Sequence, residues 1–184
     1  MPYRAIVIGA SAGGFYALRK LIPLIPKGFS MPIFIVQHLS PTSDSYMSRF
    51  LNSSSEVIVK EADEKEEIKA GYVYIAPPNY HLLIEENYSL SLTTSEKKNY
   101  SRPSIDILFE TASFAYGKNL IGIVLTGANS DGSEGLLKIK NAGGYSIVQK
   151  PSEAEANAMP LAAIELVKPD KILKISEIVK LLIK

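Results

Sequence analysis

Three side chains in the 184-residue chain form a set able to do chemistry. Ser11 lies in GASAGG (residues 9–14), His38 directly follows the apolar run PIFIVQ, and Asp131 lies in TGANSDG. A hydroxyl, an imidazole and a carboxylate bonded in that order perform nucleophilic acyl transfer. The imidazole takes the hydroxyl proton as the oxygen attacks a carbonyl, and the carboxylate orients the ring and stabilises its charge. Gly9-Ala10-Ser11-Ala12-Gly13 also fits G-x-S-x-G, whose small neighbours permit the sharp strand-to-helix turn that presents a serine.

Each residue also has a plainer reading. Glycine-rich turns after a first strand cradle anions or cofactors, or simply turn the chain. The run lacks the third glycine of G-x-G-x-x-G at its proper offset and has no G-K-[ST], which weakens a nucleotide site. His38, at a strand end, fits a structural hydrogen-bonding role. Asp131, ahead of a helix, is a natural N-cap. His81, in APPNYHLLIE, reads as structural or substrate-lining. Arg102, in RPSID before an N-cap serine, reads equally as a substrate contact or a tie to a neighbouring loop.

The elements around these residues are legible as pattern. Short apolar runs at 4–9, 32–37, 57–59, 72–76, 81–84, 89–92, 120–125 and 145–148 predict strands. Helix-like spacing predicts helices at 13–22, 42–51, 104–116, 132–141, 160–166 and 175–183. Their alternation predicts an α/β fold: a doubly wound, mostly parallel sheet with helices on both faces. HLLIEENYSLSL (81–92) reads as a small antiparallel hairpin, and the charged KEADEKEEIKAG (60–71) as a solvated loop. In such a sheet, sites form outside the carboxyl ends of the strands. Ser11, His38 and Asp131 each follow a strand, so the topology brings them toward one edge. The order Ser, His, Asp is not that of α/β-hydrolases, in which the acid precedes the histidine; here no histidine follows residue 81.

Composition bounds the alternatives. The length suits one domain, residues 1–184, with a sizeable core. A net charge of +1 gives no electrostatic case for nucleic acid or a membrane surface. With no cysteine and two histidines, thiolate chemistry is excluded and a multi-histidine metal centre is not expected. No leader and no long apolar span is visible, so the expected location is cytoplasmic.

Taken in order, GASAGG, VQH, GYVYIAPPNYHL, RPSID, LTGANSDGSEGL, IKNAGG and MPLAAI resemble the catalytic domain of CheB-type chemotaxis protein-glutamate methylesterases. The resemblance covers almost the whole chain. It implies a parallel-sheet α/β fold and a triad of Ser11, His38 and Asp131, with an oxyanion hole from the backbone N–H groups of Ala128 and Ala12. It also implies γ-glutamyl methyl esters on the cytoplasmic helices of methyl-accepting chemoreceptors as substrate, glutamine deamidation at the same sites, and no metal or cofactor. A cognate receptor methyltransferase or sensor kinase is the kind of partner through which a non-catalytic module of this fold would act.

Three departures stand beside the resemblance. The chain opens on the first esterase strand without a receiver domain, so control by phosphorylation is expected to be absent or to lie on another polypeptide. Ala128-Asn129 stands where many members carry Met-Gly, and Ala12 where a threonine is common. The first departure and the Ala128-Asn129 change keep open a non-catalytic, CheB-like scaffold in a sensory pathway as the alternative.

Overall fold

The computed structural model describes residues 3–184. Among these, the chain runs β1 (Ala5–Ala10), α1 (Gly14–Leu21), β2 (Ile33–Gln37), α2 (Tyr46–Ser53), β3 (Ile58–Glu61), β4 (Tyr72–Ile75), β5 (His81–Ile84) and β6 (Leu90–Thr93). It continues through α3 (Ile105–Tyr116), β7 (Leu120–Val124), α4 (Ser133–Asn141), β8 (Tyr145–Gln149), α5 (Ala158–Val167), β9 (Lys171–Leu173) and α6 (Ile175–Leu182). Seven strands form one parallel sheet in the order β3-β4-β2-β1-β7-β8-β9, and β5 and β6 pair separately as an antiparallel hairpin.

The central strands AIVIGA, IFIVQ and LIGIV are buried throughout because helices cover both faces of the sheet. Successive residues of β1 serve opposite cores. Ile6 and Ile8 pack with Leu18 of α1, Leu51 of α2 and Ile178 of α6. Ala5 and Val7 pack with Leu108 of α3, Leu136 of α4 and Met159 of α5. Each large aliphatic side chain so buried contributes roughly 1.5–3 kcal/mol. Hairpin residues Leu82, Ile84 and Leu90 join the second core, fixing the hairpin beneath α3.

The chain first winds outward from β1 through β2, then returns to β7 at the other side of β1 and winds outward again. The reversal between β1 and β7 opens a crevice at the carboxyl ends of those strands. Register levels the strand ends there: Ala10 pairs with Gln37, and Gly9 with Val124. The residues that follow emerge side by side.

The doubly wound sheet and the hairpin match the sequence expectation; three details differ. The sequence pattern predicts no strand at β9: its three residues KIL form a short, partly exposed edge strand with no alternation to read. Residues 60–71 are more than a solvated loop. Lys60 and Glu61 belong to β3, the Lys60 ammonium reaches Asp63 (2.7 Å) and Glu66 (2.8 Å), and the backbones of Lys65 and Glu66 bond that of Leu90. α2 begins at Tyr46 rather than residue 42, with the Asp44 carboxylate accepting the Tyr46 N–H at 3.1 Å. Among the described residues no helix is long and apolar enough to cross a membrane.

Candidate active site

Ser11 is placed by the turn between β1 and α1. Its N–H is bonded to Thr126 O at 2.9 Å, tying the turn to the loop after β7. Gly13 takes φ +75°, a left-handed conformation that favours glycine, and α1 starts immediately after it. Next door, His38 N–H donates to Ala10 O at 3.0 Å. The Gln37 amide locks the two loops together, its Nε2 donating to Ser11 O (2.9 Å) and His38 O (3.0 Å). Gly14 is what makes room for that amide, since a Cβ there would fall 1.9 Å from Gln37 Oε1.

The three predicted side chains meet. His38 Nδ1 lies 3.1 Å from Ser11 Oγ, and His38 Nε2 lies 2.8 Å from Asp131 Oδ2. Asp131 is fully buried and surrounded by donors. Its Oδ2 also accepts the Ile105 N–H (2.7 Å), while Oδ1 accepts Ser104 Oγ–H (3.0 Å) and Asp106 N–H (3.2 Å). Burial works to raise its carboxyl pKa, but hydrogen bonds from His38, Ile105 and Asp106, with the charge attraction of His38, leave it below the ordinary value. An ionised carboxylate only accepts, so Nε2 carries the ring hydrogen and Nδ1 presents its lone pair to Ser11. Asn129 also addresses Nδ1: its Oδ1 accepts the Asp131 N–H (3.1 Å), which turns its Nδ2 to within 3.3 Å of the ring nitrogen.

The capping role of Asp131 differs from the simple expectation. Gly132, at φ +95°, is the N-cap of α4. Asp131 instead caps α3, through the N–H groups of Ile105 and Asp106, which lie 26 and 25 residues before it in sequence. Ser104, the expected N-cap of α3, makes no side-chain cap and spends its hydroxyl on Asp131. The carboxylate thereby sits at the positive end of the α3 dipole.

His81 does not join the group. It is fully buried, its Nε2–H donating to Glu96 O (3.0 Å) and its Nδ1 accepting Ser104 N–H (3.1 Å). Burial, together with Arg102, keeps its imidazole below the usual histidine range despite the Glu96 bond, so the ring stays neutral and structural. Arg102 borders a cavity of about 100 Å³ next to His38, with Leu39, Lys97 and Tyr100. Its guanidinium is already engaged by Asn79 Oδ1 (2.8 and 3.2 Å), Thr94 O (2.7 Å) and Ser95 O (2.8 Å). Ala12 and Ala128 are exposed beside the serine and aspartate loops, and among the described residues neither N–H donates to a protein acceptor.

Sequence reasoning missed Gln37, Ser104 and Asn129 as parts of the site. Gln37 carries a local signal, a buried-type strand ending on an amide beside the histidine; the contacts of the other two depend on tertiary placement.

The CheB methylesterase family matches residues 6–182. A Leptospira interrogans protein, provisionally named a protein-glutamate methylesterase/protein-glutamine glutaminase, is 52% identical over 184 residues, covering 100% of this chain and 95% of that protein. The Archaeoglobus fulgidus protein-glutamate methylesterase/protein-glutamine glutaminase is 38% identical over 88% of this chain but 47% of its own length, so the chain spans about half of that relative. The crystal structure of the Thermotoga maritima CheB methylesterase catalytic domain matches with a TM-score of 0.94 at 37% identity, over 98% of this chain and 97% of that one. A fold, a strand-end crevice and a matched sequence all agree: the chain belongs to the CheB methylesterase family.

Proposed function

We propose that the chain acts as one domain, a serine hydrolase that removes methyl esters from glutamyl γ-carboxyls on the cytoplasmic helices of methyl-accepting chemoreceptors. Ser11 is the nucleophile, His38 the general base and then acid, and Asp131 the carboxylate that orients the ring. One observation carries this reading: the unbroken run from Ser11 Oγ through Nδ1 and Nε2 of His38 to Asp131, at 3.1 and 2.8 Å. Both separations suit proton transfer or its support.

In the first half-reaction, Ser11 Oγ bonds to the ester carbonyl carbon as its proton passes to Nδ1. The carbonyl oxygen becomes an oxyanion. The N–H groups of Ala12 and Ala128 are the donors offered to it, since the Ser11 N–H is committed to Thr126. A single donor of this kind is typically worth ~10²–10³ in turnover. Collapse breaks the bond to the methoxy oxygen, which takes the proton from Nδ1 and leaves as methanol. In the second half, water adds to the glutamyl-serine ester, His38 takes its proton, and the Ser11 oxygen leaves with that proton restored. The products are the γ-carboxylate and free enzyme. A glutamine side chain follows the same path with ammonia as leaving group, in keeping with the double name of the relatives.

A fluorophosphonate probe tests the reading. Stoichiometric modification located at Ser11, and abolished in His38→Ala, is the expected result. A wild-type protein that stays unmodified would leave a scaffold role as the better account.

A further inference from the structure

A second carboxylate lies behind the site. Asp106, on α3, is 1% exposed and sits beside the fully buried Asp131. Two such groups repel unless donors separate them. Asn99 supplies that separation, its Nδ2 donating to Asp106 Oδ2 (2.9 Å) and Asp131 Oδ1 (3.3 Å). The aspartates also exchange helices. Asp131, just ahead of α4, caps α3, while Asp106 of α3 accepts the N–H groups of Gly132 (3.0 Å) and Gly135 (2.7 Å) at the start of α4. Close packing enforces the exchange, since a Cβ on Gly135 would fall 2.5 Å from Phe109 Cβ.

Asn99 is held in place by an unusual backbone. It and Tyr100 take φ +50° and +62° in a turn closed by mutual bonds between Lys98 and Ser101. That left-handed pair disfavours side chains other than glycine or asparagine. The turn aims the Asn99 amide inward and leaves Tyr100 97% exposed.

We propose that Asn99 and Asp106 are positioning residues for the relay: Asn99 keeps the two carboxylates apart and Asp131 aimed at His38, and Asp106 pins the start of α4 next to Asp131. The inference rests on the function proposed above and extends it to residues that touch neither ester nor nucleophile. All partners of Asp106 are donors, the environment of an ionised carboxylate. Burial, opposed by the Gly135 bond and aided by Asp131, places its pKa above the ordinary value. The other ionisable groups facing the pair are His38, Lys98, which is paired with Glu110 at 3.6 Å, the neutral His81, and Glu134 and Glu165 across the α4–α5 cleft.

The test is the pH dependence of Ser11 labelling by a fluorophosphonate in wild type, Asn99→Gly and Asp106→Asn. Glycine accepts the positive φ, so Asn99→Gly keeps the turn and deletes only the amide. Without that donor less of the Asp131 charge is neutralised, and the acidic limb of labelling moves up by about 0.5–1 pH unit. Asp106→Asn removes a nearby negative charge, and the limb moves down by a similar amount. Plateau labelling slows ~10-fold or more in both, through misplacement of the ring. Limbs that coincide with wild type in Asn99→Gly would overturn the proposal, even if Asp106→Asn fails to fold. A wild type unlabelled at every pH would instead remove the relay on which the proposal stands.

Discussion

His38 turns Nε2, the far nitrogen of its ring, to Asp131 at 2.8 Å and keeps Nδ1, the nitrogen nearer its own backbone, for Ser11. The ring is therefore short-tethered. Its backbone N–H is bonded to Ala10 and its carbonyl to the Gln37 amide, so β1 and β2 set where Nδ1 can be. Asp131 fixes the remaining rotation from the opposite side.

Asp131→Asn brings an amide NH₂ into a pocket whose other groups, Nε2–H, Ser104 Oγ–H and the N–H groups of Ile105 and Asp106, are all donors. A donor is left unpaired or the ring takes the wrong tautomer. Turnover is expected to fall by ~10³–10⁴-fold, with the fold retained. Steady-state methanol release measures it, and a loss below tenfold would contradict the orienting role.

Asn129 competes with Ser11 for the Nδ1 lone pair from 3.3 Å. Its removal in Asn129→Ala frees that lone pair for the hydroxyl, at the cost of one bond to the Asp131 N–H. Fluorophosphonate labelling of Ser11 is expected to rise about 2- to 10-fold, the worth of one hydrogen bond. Slower labelling would show that Asn129 supports the aspartate loop more than it hinders the ring.

Gly14 and Gln37 form a close steric pair. Gly14→Ala forces the Gln37 amide out of place and costs about 1–3 kcal/mol, which is a fall in Tm of roughly 2–4 °C per kcal/mol for a chain of this size. In a Gln37→Ala background much of that penalty disappears. A double-mutant cycle in thermal unfolding reads the coupling; strict additivity would place the clash elsewhere, for example at Ala10 Cβ, 2.7 Å from the same position.

The buried aspartates give opposite pH signatures. Asp131 has a folded-state pKa below its unfolded value of about 3.9, so its stabilisation is present above that value and lost as pH falls through the lower, folded one. The melting curves of wild type and Asp131→Asn are expected to converge as pH drops from about 5 toward 2. Asp106 is raised, so its contribution is full below the unfolded value and lost as pH rises through the folded one. The difference between wild type and Asp106→Asn is therefore expected to shrink with rising pH. Calorimetry from about pH 2 up to neutral pH checks both signs.

How much of this the sequence discloses follows from how local each cause is. AIVIGA, IFIVQ and LIGIV are readable because burial on both faces leaves an unbroken apolar run, and the loops after them deliver Ser11, His38 and Asp131 to one edge by topology alone. KIL of β9 is too short and too exposed to register. Asp131 looks like the cap of its own helix, and only the packing of α3 on α4 reveals that it caps the other. Asn99 and Asp106 carry no such pattern in the sequence; their joint contact with Asp131 exists only in three dimensions.

Methanol release from methyl-labelled chemoreceptor, compared between wild type and Ser11→Ala, tests the central claim most directly. Time-dependent release by wild type, reduced to background in Ser11→Ala while the variant melts at the wild-type temperature, is the predicted result. Equal release from both proteins would contradict the relay built on Ser11, His38 and Asp131.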